Sequence, residues 1–351
     1  MSRYGILGFG HHAAKRLMKG FAEASESKLV GLWRRDTEKA RVNAKEYAIP
    51  LVFDTPEALC ASPEIDAVFI VSPDALHLPH VLLAAKHGKA ILCEKPLALN
   101  VGEAEEMLAA AKAAKVAFGV AQNMRYNRSL DLIRKWIAAG RIGKPQLAHS
   151  QFSYSAEGSP RTWIYDPALA CGGPIGDVGI HCVDALRFVL GTDVTAVSTL
   201  AHRDAGSGQV ESHAVVALDL AFGAMATVTV TTRSEYRTVI EVTGEAGVIL
   251  CENGLTVDYP VDVVLRRGGD IVASERVSNA DAYSRMLDGF PRGSKAGGRI
   301  WPRRKTRCTT SALLTRPIGA GATAPGSRSV SRSRRAHRRR SRCRRGRRAS
   351  R

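Results

Sequence analysis

The sequence predicts two fold classes in one chain. The first half reads as α/β, a doubly wound parallel sheet; the second reads as α+β, an open and mostly antiparallel sheet with helices on one face. Three observations carry this. A glycine-rich turn stands between an apolar run and a helical pattern at the start, Gly5-Ile6-Leu7-Gly8-Phe9-Gly10-His11-His12-Ala13. Strand-like and helix-like patterns then alternate as far as Val120, the rhythm of βαβ units. In the second half, runs rich in Val and Thr follow one another with few helices between them, which implies antiparallel pairing.

The elements follow in order. Tyr4 to Leu7 is a first buried strand. Gly8, Gly10 and Ala13 fit G-x-G-x-x-G/A. In that pattern Gly8 permits a tight turn, Gly10 admits a pyrophosphate close to backbone, and Ala13 lets helix lie on strand. An ordinary strand-to-helix turn would look the same in isolation. His12 to Ala24 has Ala13, Leu17, Gly20, Phe21 and Ala24 on one face of a helix. Lys28 to Trp33 is the second strand, so one βαβ unit of a Rossmann sheet is complete. The turn Gly8-Phe9-Gly10-His11-His12 is then the expected cradle of a dinucleotide.

The tip of the second strand selects the cofactor. An acidic residue there binds the ribose 2′-hydroxyl of NAD; an arginine accommodates the 2′-phosphate of NADP. Here Arg34 and Arg35 occupy the tip and Asp36 follows. A guanidinium can fork onto phosphate and stack on adenine. NADP is therefore expected over NAD, unless Asp36 reaches back to the ribose; Asp36 can equally cap a helix starting near Thr37.

Ile65 to Val71 reads as a central strand ending in Ser72-Pro73-Asp74-Ala75-Leu76-His77. Ligands lie outside the carboxyl ends of such strands, so Ser72, Pro73 and His77 are expected at the cofactor crevice. Pro79 to His87 is a helix. Lys89 to Cys93 is a strand that delivers Glu94-Lys95-Pro96 to the same edge. Lys95 there could hydrogen-bond a substrate hydroxyl and pass its proton, or form a surface pair with Glu94. Val101 to Ala114 is a helix and Val116 to Val120 a strand.

In the second half, Leu147–Ser155, Val194–Ala201, Val210–Ala221, Ala224–Thr232 and Thr238–Thr243 read as strands, with Phe222-Gly223 as a hairpin turn. Val248–Cys251 and Val261–Arg266 continue the pattern. Asp177 to Leu190 is a helix on which Asp177, His181 and Asp184 share one face. By spacing alone Asp177 is a cap or a catalytic carboxylate, and His181 a buried structural histidine or a catalytic base. Arg161 and Trp163 are candidate sugar contacts, with Trp163 alternatively in the core; Arg125 is a crevice residue or a surface ion-pair partner.

Gly8-x-Gly10-x-x-Ala13, Ser72-Pro73-Asp74 with His77, Glu94-Lys95-Pro96, Gln122-Asn123-x-Arg125-Tyr126-Asn127 and Gly172-Gly173-Pro174-x-x-Asp177-x-Gly179-x-His181-x-x-Asp184 occur in this order. The set resembles the glucose–fructose oxidoreductase / inositol dehydrogenase (Gfo/Idh/MocA) family over about residues 3–290. Asp74, where asparagine is common, and Cys171, where a third glycine is common, depart from it. The resemblance implies a Rossmann domain and an open-sheet domain that pairs with another subunit in a homo-oligomer. It implies hydride transfer between NADP (or NAD) and a sugar or polyol, with Lys95, Asp177 and His181 catalytic. An ordinary histidine pKa of about 6.5 suits proton transfer. A non-catalytic NAD(P)-binding regulator on the same fold is the alternative.

The expected division is 1–122 for the cofactor domain, 123–290 for the substrate and oligomerisation domain, and 291–351 for a disordered, arginine-rich tail. The net charge is +18, yet residues 291–351 hold 19 Arg, 2 Lys and no acid, leaving 1–290 at −3. Such a tail can bind nucleic acid non-specifically, but it lacks the repeated aromatics of a stacking surface. Its composition is that of GC-rich coding DNA read out of frame. The neighbouring frame over Arg299–Gly321, with suitable third bases, has ordinary acid content and helical spacing, so a frameshift near residue 290 is expected. Tyr283 to Phe290 then reads as a last helix cut short. No run of about 18 apolar residues suggests a membrane span. The seven cysteines, none in C-x-x-C, point to reduced thiols in a cytoplasm and no metal.

Overall fold

A computed structural model describes residues 1–294. The strands β1 (Ser2–Leu7), β2 (Ser27–Trp33), β3 (Leu51–Val52), β4 (Ala67–Ile70), β5 (Ala90–Cys93) and β6 (Phe118–Val120) form one sheet. Its order is β3-β2-β1-β4-β5-β6 and every pairing is parallel. The order reverses between β1 and β4, where a doubly wound sheet opens a crevice. Both faces are covered, which is why β4 reads as a continuous apolar run. Phe69 faces one core with Tyr4, Ile6 and Leu92, whereas Val68 and Ile70 face the other with Leu7 and Ile91.

The first helix begins at the glycine turn with a π-type turn, Ala13–Leu17, and continues as α1 (Met18–Glu23). Local polar chemistry starts the next ones. Asp36 caps α2 (Thr37–Glu46), and Thr55 caps α3 (Pro56–Ala61) with proline at the first turn, where a missing N–H costs nothing. α4 (His77–Lys86) follows β4. Asn100 caps α5 (Val101–Ala113) by accepting from Glu103 N–H, and Glu103 in turn accepts from Leu99 N–H, one residue before the cap.

α6 (Arg128–Ala138) leads into β7 (Pro145–Ser155). α7 (Ile180–Leu190) precedes β8 (Val194–His202), β9 (His213–Leu220), β10 (Met225–Thr231), β11 (Arg233–Gly244), β12 (Gly247–Glu252), β13 (Val261–Arg267) and β14 (Asp270–Val277). These eight strands form one sheet in the order β14-β13-β12-β11-β7-β10-β9-β8. It is mixed: β7 and β10 run parallel, whereas the other neighbours are antiparallel. The exception arises because the chain leaves β7 through α7 and returns to β7's free side only after the β8–β9 hairpin. One face is packed by Leu130, Ile133 and Trp136 of α6 and Leu186 of α7, over Val228, Val230, Ile240 and Val242. Each such side chain contributes roughly 1.5–3 kcal/mol on burial. The other face leaves Leu147, Leu200, Val215 and Met225 exposed.

The last described element, α8 (Ala282–Ser294), is longer than the truncated helix expected at Tyr283–Phe290. It returns to the first sheet. Met286, Leu287 and Phe290 are buried in the core of Tyr4 and Phe21, and Asp288 accepts hydrogen bonds from Ser25 N–H at 2.8 Å and Glu26 N–H at 2.9 Å. By packing, residues 282–290 therefore belong with the first half, although they lie in the expected 123–290 segment. The arginine-rich segment lies outside the described residues beyond Ser294, as do Cys308 and Cys343. The five described cysteines are free thiols.

Candidate active site

The glycine turn closes against the next loop. Gly8 has φ +90°, and a Cβ there would stand 2.7 Å from Ser72 backbone. At Gly10 a Cβ would meet nothing nearer than 3.7 Å, the Gly8 carbonyl. The turn thus presents bare backbone at the start of a helix, a cradle for a diphosphate. Phe9 contributes backbone only, because its ring is buried beside Tyr47. His11 is exposed, and His12 Nε2 lies 3.2 Å from Glu94 Oε1.

At the tip of β2, Arg34 donates to Asn43 Oδ1 at 2.7 Å and Arg35 is exposed. Asp36 spends its carboxylate on α2, accepting from Lys39 N–H at 3.0 Å and Lys39 Nζ at 3.0 Å. Of its two open roles, the structure shows the cap.

Ser72 and Pro73 follow β4 at the crevice, with Ser72 Oγ 3.0 Å from His80 Nδ1. His77 is fully buried. Its Nδ1 faces the Pro96 and Leu97 carbonyls at 3.0 and 3.1 Å, and its Nε2 faces the Ser72 carbonyl at 2.9 Å. It ties the Ser72 loop to the Glu94-Lys95-Pro96 loop. Glu94 accepts from Lys95 N–H at 3.1 Å. Burial pushes its carboxyl pKa up, but His12 and Lys95 outweigh that and hold it below the ordinary value.

The second half supplies the facing wall. A glycine turn leads into a π-type turn, Ile175–Gly179, and then α7. Asp177 is not a cap. Its carboxylate accepts from Tyr154 Oη at 2.5 Å and from both terminal nitrogens of Arg161 at 3.2 Å, with Lys95 Nζ 3.4 Å away. Lys95 Nζ also donates to the Asp177 carbonyl at 2.7 Å. Burial alone would raise the Asp177 pKa; Arg161 and Lys95 reverse this and hold it far below the carboxylate range. His181 is 6% exposed and stacks on Phe152, and its Nδ1 has no hydrogen-bond partner among the described residues. Burial and the Lys95 charge push its pKa well below an ordinary histidine, against a smaller opposing effect of Asp177. Burial and Lys95 both favour the uncharged ring.

Lys95, Asp177, Arg161, Trp163, Glu94, Ser72, His77 and His12 all line one cleft of about 550 Å³. Neither Arg125 nor His181 is among its lining residues; His181 lies one helical turn beyond Asp177, on α7. The Arg125 guanidinium forks onto Asp184 at 2.7 and 2.6 Å in a buried ion pair, and not the surface pair the sequence left open. Sequence reasoning missed Tyr154. Alternation along β7 puts it on the face of Phe152, but nothing in the sequence marks that face as the one against Asp177.

A crevice at the switch point of a parallel sheet, a bare glycine cradle, and an ammonium held against a buried carboxylate at its edge define a nicotinamide-dependent oxidoreductase. The open cradle at Gly10 fits the diphosphate of a bound dinucleotide. Residues 2–122 match the oxidoreductase family model with an NAD-binding Rossmann fold, and residues 130–250 match the C-terminal domain of the same family. The chain belongs to the Gfo/Idh/MocA oxidoreductase family. It is 29% identical to a 1,5-anhydro-D-fructose reductase of Ensifer adhaerens over 83% of this chain and 87% of that one. It is also 29% identical to a D-xylose 1-dehydrogenase (NADP(+)) of Haloferax volcanii, over 84% and 89%. Among solved structures, an aldose-aldose oxidoreductase of Caulobacter crescentus complexed with glycerol superposes with a TM-score of 0.77 at 26% identity, over 85% of this chain and 92% of that one.

Proposed function

We propose that this chain moves a hydride between NADP and a hydroxyl-bearing carbon of a sugar or polyol, with Lys95, Asp177 and His181 as the catalytic set. One observation carries the reading: Lys95 Nζ from one half and the turn bearing Asp177 from the other meet within hydrogen-bond distance in a single cleft, and His181 follows one helical turn later on α7. The relatives named for 1,5-anhydro-D-fructose, D-xylose and aldoses support the substrate class.

The nicotinamide, when bound, accepts or returns the hydride. The chain does the rest. In oxidation, neutral His181 takes the hydroxyl proton as the carbonyl forms; in reduction it gives that proton back. Lys95 holds the substrate oxygen and stabilises negative charge developing on it. Asp177 fixes Lys95, and the lowering of its pKa by Arg161 and Lys95 makes it a weak proton acceptor. Trp163 offers an apolar wall to a sugar ring. Arg161 acts through Asp177. Gly8, Gly10, His11, His12, Ser72 and Pro73 hold the dinucleotide. Exposed Arg35, with Asp36 committed to its helix, favours the 2′-phosphate of NADP.

The exposed apolar residues Leu147, Leu200, Val215 and Met225 support a homo-oligomer built across the open sheet face. Free thiols in the described residues support a reducing, cytoplasmic setting, and no described helix is long and apolar enough to cross a membrane.

The test is a sugar and polyol panel followed by NADPH absorbance, with His181→Ala beside the parent. Turnover by the parent, and its loss by about 100-fold or more in H181A with NADP binding retained, is expected. Near-normal turnover in H181A removes His181 from the mechanism. Tight cofactor binding with no turnover on any substrate identifies a sensor instead.

A further inference from the structure

Glu211 is a buried carboxylate with no part in the chemistry above. It stands just before β9, 4% exposed. Its Oε2 accepts from Gly173 N–H at 2.9 Å and its Oε1 from Ile175 N–H at 2.9 Å. Both amides belong to the turn that opens the helical segment carrying Asp177 and His181. An anion there answers the N–H groups that a helix start leaves without partners.

The turn is shaped to receive it. Gly172 has φ +118°, and a Cβ on Gly173 would lie 2.0 Å from the Glu211 carbonyl oxygen. The Gly172-Gly173 pair thus lets this stretch of backbone press against Glu211. Asp74, from the other half, holds the same turn two residues earlier by accepting from Cys171 N–H at 2.9 Å. The segment 171–175 is strung between two buried carboxylates, and the catalytic pair begins two residues beyond it.

We propose that Glu211 is a positioning residue that sets the place of Asp177 and His181 opposite Lys95 by clamping the Gly173–Ile175 backbone. The proposal rests on the reading of Asp177 and His181 as catalytic. Glu211 is not among the residues lining the cleft, so its loss acts on the rate and not on cofactor affinity.

Full-length Glu211→Gln tests this, because it keeps the shape but turns one acceptor into a donor facing an N–H. A tenfold or greater fall in kcat is expected, with the NADPH KM within twofold of the parent. Amide hydrogen exchange on the cofactor-free protein reads the clamp without any substrate. Gly173 and Ile175 should exchange at least tenfold faster while α5 is unchanged. Accelerated exchange in a chain whose parent turns over no sugar leaves the clamp standing and refutes the functional reading. Unchanged exchange, or unchanged kcat beside faster exchange, overturns the positioning role. Should E211Q not fold, Glu211→Asp, which keeps the charge with a shorter reach, is measured in the same way. Failure of both to fold makes Glu211 a stability residue and also overturns the proposal.

Discussion

Replacing Asp177 by Asn removes the charge that holds two cations together. The Lys95 and Asp177 side chains are each 13% exposed, and Arg161 is 29% exposed. At the 3.4 Å Lys95–Asp177 separation, an effective dielectric near 20 gives about 5 kcal/mol of attraction. Breaking one side of a buried pair costs roughly 3–5 kcal/mol. The partial exposure of Arg161 puts this case at the lower end, about 3 kcal/mol. At roughly 2–4 °C per kcal/mol, D177N should melt about 6 °C or more below the parent. Turnover should fall about 100-fold or more, because Lys95 loses the carboxylate that aims it. Scanning fluorimetry and NADPH-linked turnover on the same preparation read both effects. A D177N chain that melts within about 1 °C of the parent, or higher, refutes the electrostatic argument. Retained turnover refutes the placement of Lys95 through Asp177.

Two further outcomes follow from the geometry. Arg35→Ala should weaken NADPH about tenfold, equivalent to about 1.4 kcal/mol, and leave NADH alone; an unchanged ratio of the two affinities removes Arg35 from the 2′-phosphate site. At Asp288, burial pushes the pKa up, but bonds from Ser25 and Glu26 hold it below the ordinary carboxylate value. A depressed folded value means the stabilisation is complete above the unfolded pKa of about 3.9 and is lost as pH falls from there through the folded one. Asp288→Asn should therefore flatten the decline of melting temperature below about pH 4, and an unaltered decline contradicts the linkage.

Much of the fold was legible because its signals are local. A glycine turn between an apolar run and a helical face specifies a βαβ start wherever it occurs. The Val- and Thr-rich runs of β9 and β10 announce strands by their own alternation. What alternation cannot report is a partner across the sheet, so a mostly antiparallel sheet could be expected without its parallel β7–β10 pair being located. The same limit hid the seat of α8, whose apolar face says that it packs but not on which half. The site shows the division more sharply. Lys95, Asp177 and His181 could be singled out by motif and face. Arg125 could not be assigned, because its partner Asp184 lies 59 positions away. Tyr154 and Glu211 carry no local mark, since a tyrosine on a strand and a glutamate before one suit solvent equally well. The state of His181 depends on burial and on Lys95, neither of which residue type records.

The return of α8 also sets an order of events during synthesis. The cofactor half has all six of its strands once Val120 is made, yet one side of its core stays open to water until Met286, Leu287 and Phe290 arrive. Those roughly 160 intervening residues take on the order of 10–30 s to translate at about 5–20 residues per second. Throughout that interval the nascent chain carries an unsealed apolar surface around Tyr4 and Phe21, the moment at which a chaperone has most to protect.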